Sequence, residues 1–282
     1  MMATLHDTRV CDLGEGAFWH PGRQEFFWFD ILNRRLLSQC CGGPEEWRFD
    51  RIATAAGQVG PDEFLIATET GLALLDLQDG ALRDLIPVEA NRPDTRSNDG
   101  RADRQGGFWF GTMGKAAEAG AGSIYRFYRG HVERLFPRIT IPNAICFAPD
   151  GRTAYFADTA EGMIWAQTLD ADGWPEGERR VLADFREEGL NPDGAVVDET
   201  GALWVALWGQ GAVLRLGPDG TRLERHAVGG AHSSCPAFGG PDLGHLLVTT
   251  ATEGMDDPGP GQGQTWLLTP GVRGLAEPSV IL

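Results

Sequence analysis

A unit of 40–50 residues recurs six times along this 282-residue chain, and no other feature restricts its fold as strongly. Short runs such as "EFFWFDI", "FLIATET", "GFWFGTM", "TAYFADT", "ALWVALW" and "HLLVTTA" are rich in aromatic and branched residues. Each follows a Gly, Pro or Asp turn, which is how half-buried strands are punctuated. In four copies a polar residue precedes a short strand, a turn follows, and a second, more hydrophobic strand comes next; two weaker copies complete the set. The copies begin at Glu15, about Ala55, Asn98, Asn143, Asp193 and about Cys235, separated by 40, 43, 45, 50 and 42 residues. Several short strands at such a period describe a β-propeller. Six copies without a linker predict an all-β, six-bladed propeller occupying residues 1–282 as one domain. The stretches "TRVCDL" (8–13) and "SVIL" (279–282) are expected to meet in one blade and close the ring, leaving no exposed sheet edge. No "WD" dipeptide occurs, so the combined "GH" and "WD" signature of WD40 blades is missing.

Composition narrows the partners. Apolar residues make up 42% of the chain, ample for a buried core, and the net charge of −16 argues against nucleic acid or an anionic membrane surface. Five cysteines (Cys11, Cys40, Cys41, Cys146, Cys235) form no C-x-x-C pair, fitting neither a disulfide framework nor a zinc knuckle. Reduced, partly buried thiols are expected, with Cys146 in a packing role. No apolar segment resembles a signal peptide or a membrane span, so the expected compartment is the cytoplasm. A monomer or weak homo-oligomer is expected.

The repeat also selects four side chains. The innermost strand of a propeller blade lines the central channel, so the residue opening each copy lies at a similar height around one axis. Four of the six positions hold Glu15, Asn98, Asn143 and Asp193. As single residues, Asn and Asp often just start strands as turn formers, and "NPDG" (191–194) has decoys in "APDG" (148–151) and "GPDG" (217–220). As a ring, two carboxylates and two amides pointing inward are costly unless a cation joins them. The all-oxygen donor set suits Ca²⁺, Mg²⁺ or Mn²⁺ more than Zn²⁺. If "TRSNDG" is extended, Arg96 shares a face with Asn98 and offers forked donors to a polyhydroxylated or anionic ligand, while Asp99 faces away.

These stretches together resemble the gluconolactonase, or senescence-marker-protein-like, family that includes regucalcin and bacterial aldonolactonases. The resemblance rests on "LGEGAFWH" (13–20), "RSNDGRADRQGGFWFGTM" (96–113), "IPNAICFAPDGRTAYFADT" (141–159), "NPDGAVVDETGALWVALW" (191–208) and "CPAFGGPDLGHLLVTTA" (235–251). It implies one divalent metal in the channel, held by Glu15, Asn143 and Asp193, with Asn98 lining the site as a further ligand or a substrate contact and Arg96 contacting substrate. It implies hydrolysis of a sugar lactone to the aldonic acid; of the residues at the site, Asp193 is the expected catalytic residue, taking a proton from water while at or near the metal. Some relatives place an acidic residue shortly after "GTM"; here Lys115 and Ala116 stand near that place and Glu118 comes later, so that contact is not carried over.

Other chemistries find less support. There is no G-x-S-x-G nucleophile elbow, and Ser233 and Ser234 beside His232 lack a recognisable context. His232 reads as a channel-edge or surface residue, and "DDPGPGQGQ" (256–264) as a mobile loop over the channel mouth. Two rival readings stay open: a regucalcin-like calcium-binding propeller without turnover, and an aryl-ester or phosphotriester hydrolase using the same metal cradle.

Overall fold

The computed structural model describes residues 2–40 and 42–282, apart from the Cys40 side chain, and arranges them in six four-stranded antiparallel sheets. Blade 1 is Gly14–His20, Glu25–Asp30, Arg35–Cys40 and Gly43–Arg48; blade 2 is Ala53–Gln58, Glu63–Thr68, Gly71–Asp76 and Leu82–Pro87. Blade 3 is Thr95–Ala102, Phe108–Gly114, Gly122–Tyr128 and His131–Ile139; blade 4 is Pro142–Phe147, Thr153–Asp158, Met163–Thr168 and Arg180–Asp184. Blade 5 is Asn191–Val197, Leu203–Trp208, Ala212–Leu216 and Arg222–Ala227. Blade 6 runs outward from His232–Gly239 through His245–Ala251 and Thr265–Leu268 to the N-terminal strand Thr4–Asp7. Each inner strand packs against the inner strands of its two neighbours, so the six close a ring. Among the described residues, no helix is long and apolar enough to cross a membrane.

Burial follows position. The inner and second strands of each blade are covered on both faces and are almost wholly buried, whereas outer strands such as Gly43–Arg48 and Arg222–Ala227 run between half-buried and exposed. Trp109 and Trp204 occupy the same register in blades 3 and 5, and both are fully buried. Around each the two blades repeat one device. Asp103 accepts from the backbone of Gln105 (3.0 Å) and Gly107 (2.7 Å) with one oxygen, and from Arg126 Nε (2.7 Å) with the other. Asp198 likewise accepts from Thr200 N (2.8 Å) and Ala202 N (3.1 Å), and from Arg215 Nη2 (2.8 Å). One carboxylate thus closes the turn after the inner strand and ties it to the third strand.

Ring closure differs in detail from the sequence expectation. The strand that pairs with Thr265–Leu268 is Thr4–Asp7, not 8–13. Residues 8–13 cross from the outer edge of blade 6 back to the channel, with Cys11 N donating to Gly263 O (2.8 Å) and Leu13 bridging Ala251. Nor does 279–282 join a blade. The C-terminal segment crosses the face opposite the functional cavity: Gly274 N donates to Leu243 O (2.9 Å), Val280 N to Gln58 O (2.7 Å) and Ile281 N to Gly106 O (2.8 Å). Between these points Glu277 pairs with Arg101 of the blade 3 inner strand and closes that end of the channel. Cys11, Cys146 and Cys235 are buried free thiols, whereas Cys41 and the Cys40 side chain lie outside the described residues.

Candidate active site in the channel

Each inner strand carries a one-residue β-bulge at the same place: after Glu15, Ala53, Ser97, Asn143, Pro192 and Ser233. A bulge leaves residues unpaired and re-aims their side chains. Glu15 and Asn143 are the last ladder-paired residues before it, whereas Asn98 and Asp193 lie one position later, inside it. The four are therefore not strictly equivalent, as the simple repeat suggests, yet all of them reach the same cavity.

The residue after each paired member takes the strain. Gly16 and Ala144 both adopt φ near +55°. For Ala144, a non-glycine, this is an unfavourable conformation of the kind that collects at functional sites. A Cβ on Gly16 would also lie 2.2 Å from Thr54 O in the next blade. Gly194, after Asp193, is required for space instead: a Cβ there would lie 2.8 Å from Ser234 O. The "NPDG" segment is thus no turn; Asn191–Val197 is a strand, with Pro192 opposite Leu207.

The cavity has a volume of about 520 Å³ and opens at the end where inner strands begin and second strands finish. Glu15, Asn98, Asn143, Asp193 and Arg96 all line it, and each is at least nine-tenths buried. Arg96 Nη1 donates to Asn98 Oδ1 (2.7 Å) and Ser97 O (2.8 Å), leaving Nε and Nη2 without a partner among the described residues. Asn98 Nδ2 donates to Asn143 Oδ1 (2.8 Å) and Pro142 O (2.9 Å). Asp99 faces away from this cluster, as alternation requires, and accepts from Gly100 N and Ile145 N, each at 2.8 Å.

Thr159, which the sequence reading passes over, orients the amide. Its hydroxyl donates to Pro192 O (2.7 Å), so towards Asn143 it can only accept, and Asn143 Nδ2 donates to it at 2.8 Å. That fixes Oδ1 on the Asn98 side and couples blades 4 and 5. Thr159 directly follows the second strand of blade 4, as Trp208 ends that of blade 5. The ends of second strands are the repeat positions from which such residues could have been found.

The electrostatics are unfavourable for two bare carboxylates. Burial, then repulsion from Asp99, pushes Glu15 up to about 8. Burial, then the negative charges of Glu15 and Asp99, raises Asp193 well above the usual carboxylate range. Burial lowers Arg96, against the pull of Glu253, Glu15 and Asp193.

Several other sequence candidates separate from the centre. Lys115 and Ala116 line the mouth, and Lys115 Nζ bonds Glu69 (2.6 Å). Glu118 instead folds back to accept from Ala116 N (3.1 Å) and does not line the cavity. Ser233 is occupied with Leu207 O (3.0 Å) and Ala212 O (2.9 Å), and Ser234 bonds Gly14 O; neither is placed as a nucleophile. The 256–264 loop does not cover the mouth; it is held at the rim by Gly263 O and by Gln262 Oε1, which accepts from Ala231 N (2.8 Å). From that connection only Glu253 lines the cavity.

Fold and site together define a six-bladed propeller with a buried carboxylate pair and two amides at the blind end of an open channel. The chain belongs to the SMP-30/gluconolactonase/LRE-like family, whose model matches residues 13–252. It is 39% identical to a Rhizobium meliloti (strain 1021) protein provisionally named a sugar lactone lactonase, over 95% of this chain and 93% of that one. It is 37% identical to the L-arabinolactonase of Azospirillum brasilense, over 90% and 85%. Among solved structures it superposes on a calcium-binding protein, regucalcin, from Agrobacterium tumefaciens strain C58 with a TM-score of 0.97, at 39% identity, covering 100% and 98% of the two chains.

Proposed function

We propose that this protein hydrolyses a sugar (aldono-) lactone to the aldonic acid in the channel cavity, aided by one divalent cation. The observation that carries this reading is that two buried carboxylates, Glu15 and Asp193, line one cavity that also presents a partly unpartnered Arg96. Such a pair is stable only with a shared proton or a cation. The donor set fits a cation: two carboxylates plus the Oδ1 of Asn143, held by Thr159, are hard oxygen ligands suited to Ca²⁺, Mg²⁺ or Mn²⁺. A bound ion there supplies Lewis-acid polarisation of a carbonyl oxygen. The names of the lactonase relatives and of the calcium-binding structural neighbour support the same reading.

This chain's own residues account for the remaining steps. Arg96 Nε and Nη2 and the Asn98 amide bind and orient the hydroxylated ring. Asp193 accepts a proton from the water that attacks the lactone carbonyl carbon. The ring C–O bond then breaks, the departing ring oxygen takes the proton held by Asp193 and becomes a hydroxyl, and the carboxylic acid formed at the carbonyl carbon releases its remaining proton to solvent as the carboxylate of the product. Glu15 adds negative charge to the ion, and Asn143 fixes its position. An open cavity rather than one plugged by apolar side chains favours turnover over a purely calcium-holding role. Acid release from a panel of pentono- and hexonolactones is expected to exceed turnover of a paraoxon-like ester; the reverse order would favour an aryl-ester or phosphotriester hydrolase.

Thr159 gives a separate prediction. Thr159→Val keeps the shape but loses both hydrogen bonds, so Asn143 is free to rotate its amide. Divalent-cation affinity measured by calorimetry is expected to fall at least tenfold, within the roughly 10–100-fold range for a residue that orients a metal ligand. Thr159→Ser, which keeps the hydroxyl, should restore most of it. Unchanged affinity in Thr159→Val would remove Thr159 from the account.

A further inference from the structure

One wall of the cavity plays no part in the chemistry above. Trp208 ends the second strand of blade 5, opposite Asn191 in the ladder, and it lines the cavity. One face of its indole is covered by the His232 ring, stacked at 4.3 Å between centroids with 16° between planes. The residue also packs against the cluster containing Leu13 and Ala251, on the side of blades 6 and 1, while Arg96 and Asn98 belong to blade 3. It is nevertheless only half-buried, and its Nε1–H meets no acceptor among the described residues. In the fully buried Trp204 the equivalent N–H bonds Asp198 at 3.0 Å. A large aromatic surface backed by His232, partly exposed where it borders the cavity and with a free donor, is built to receive something amphipathic.

We propose that Trp208 is a specificity-determining residue: the part of its indole that borders the cavity receives the C–H face of a sugar lactone ring while polar groups from blade 3 take the hydroxyls around the rim. The inference rests on the lactonase reading and adds the substrate feature that the site selects, a ring with one apolar face. Cyclic aldonolactones have such a face, and open-chain esters of similar polarity lack it. His232 is then the support that holds the indole in place. The ring is still closed in the transition state of attack on its carbonyl, so the contact is the same there as in the bound substrate and acts on binding more than on the chemical step.

The test uses the whole 282-residue chain and two variants, Trp208→Ala and Trp208→Phe, with glucono-1,5-lactone as substrate and glucono-1,5-lactam as a cyclic ligand that resists hydrolysis. In Trp208→Ala, KM is expected to rise about tenfold with kcat held within about threefold; in Trp208→Phe, KM should stay within about threefold. The lactam should also change the tryptophan fluorescence of the wild type, and this response should vanish in Trp208→Phe. An unchanged KM in Trp208→Ala, whatever happens to kcat, overturns the proposal, as does a lactam response that survives in Trp208→Phe. The fluorescence arm decides if Trp208→Ala does not fold. A wild type that hydrolyses no aldonolactone is a different outcome: the lactonase reading fails, and the platform falls with it.

Discussion

Asp193→Asn is expected to lower kcat/KM for lactone hydrolysis by about 10³-fold, as removal of a proton acceptor at a reacting water commonly does. The same substitution should stabilise the cation-free protein at pH 8. Glu15 and Asp193 are both raised by burial and repulsion, Glu15 from an ordinary value of 4.5 to about 8. Groups raised in this way bind more protons folded than unfolded, so their contribution is fully present at low pH. It is lost as the pH climbs from the unfolded value near 4.5 through the folded value near 8. The wild type stripped of cations should therefore lose thermal stability across that interval, and saturating divalent cation should return much of it. Asp193→Asn removes one of the two charges with almost no change in shape. Its cation-free Tm at pH 8 should exceed that of the wild type by about 5 °C. A lower Tm, or full activity in the variant, would contradict the roles given to this pair.

Asp103→Ala is expected to have the largest effect on the fold. Asp103 and Arg126 are completely buried side chains joined at 2.7 Å, and Arg126 also lies over the rings of Tyr128 (4.6 Å) and Trp174 (4.2 Å). Removing the carboxylate leaves the guanidinium buried without its counter-charge and opens the turn at Gly107. Breaking such a pair on one side costs about 3–5 kcal/mol, which for a chain of this size corresponds to a Tm lower by roughly 10 °C. The lactonase rate per folded molecule should not change, because the pair lies away from the cavity. Asp103→Asn keeps an acceptor for the turn and should lose less. A Tm change under about 2 °C in Asp103→Ala would show that the device repeated at Asp198 is not what ties the inner strands to their blades.

The propeller is legible in the sequence because every blade repeats the same local problem: a channel strand, a turn, and a fully covered second strand. The starts read from the repeat, 15, 55, 98, 143, 193 and 235, fall within three residues of the observed inner strands at 14, 53, 95, 142, 191 and 232. Arg96 and Asn98 reach the same cavity and Asp99 turns away, as alternation along an extended strand predicts, even though Asn98 and Asp99 lie within the bulge. What the sequence conceals depends on partners remote in the chain. The alternation in "TRVCDL" resembles a strand, but the pairing of Thr4 with Leu267 decides the register, and residues 8–13 become the return path to the channel. Nothing local marks Glu277 as the partner of Arg101, 176 residues away. The bulge that carries Asn98 and Asp193 one position past Glu15 and Asn143 leaves no residue signature in common, since Gly16 and Ala144 meet the same left-handed geometry with different side chains.

The carboxylate pair at the closed end of the channel is the centre of this account, and its dependence on a cation is the most direct point of attack. The measurement is acid release from the aldonolactone panel by protein treated with chelator, then titrated with Ca²⁺, Mg²⁺ or Mn²⁺. The account predicts that chelation removes activity, that one of these ions restores it, and that Asp193→Asn does not recover with any of them. A full rate in the presence of chelator would contradict it.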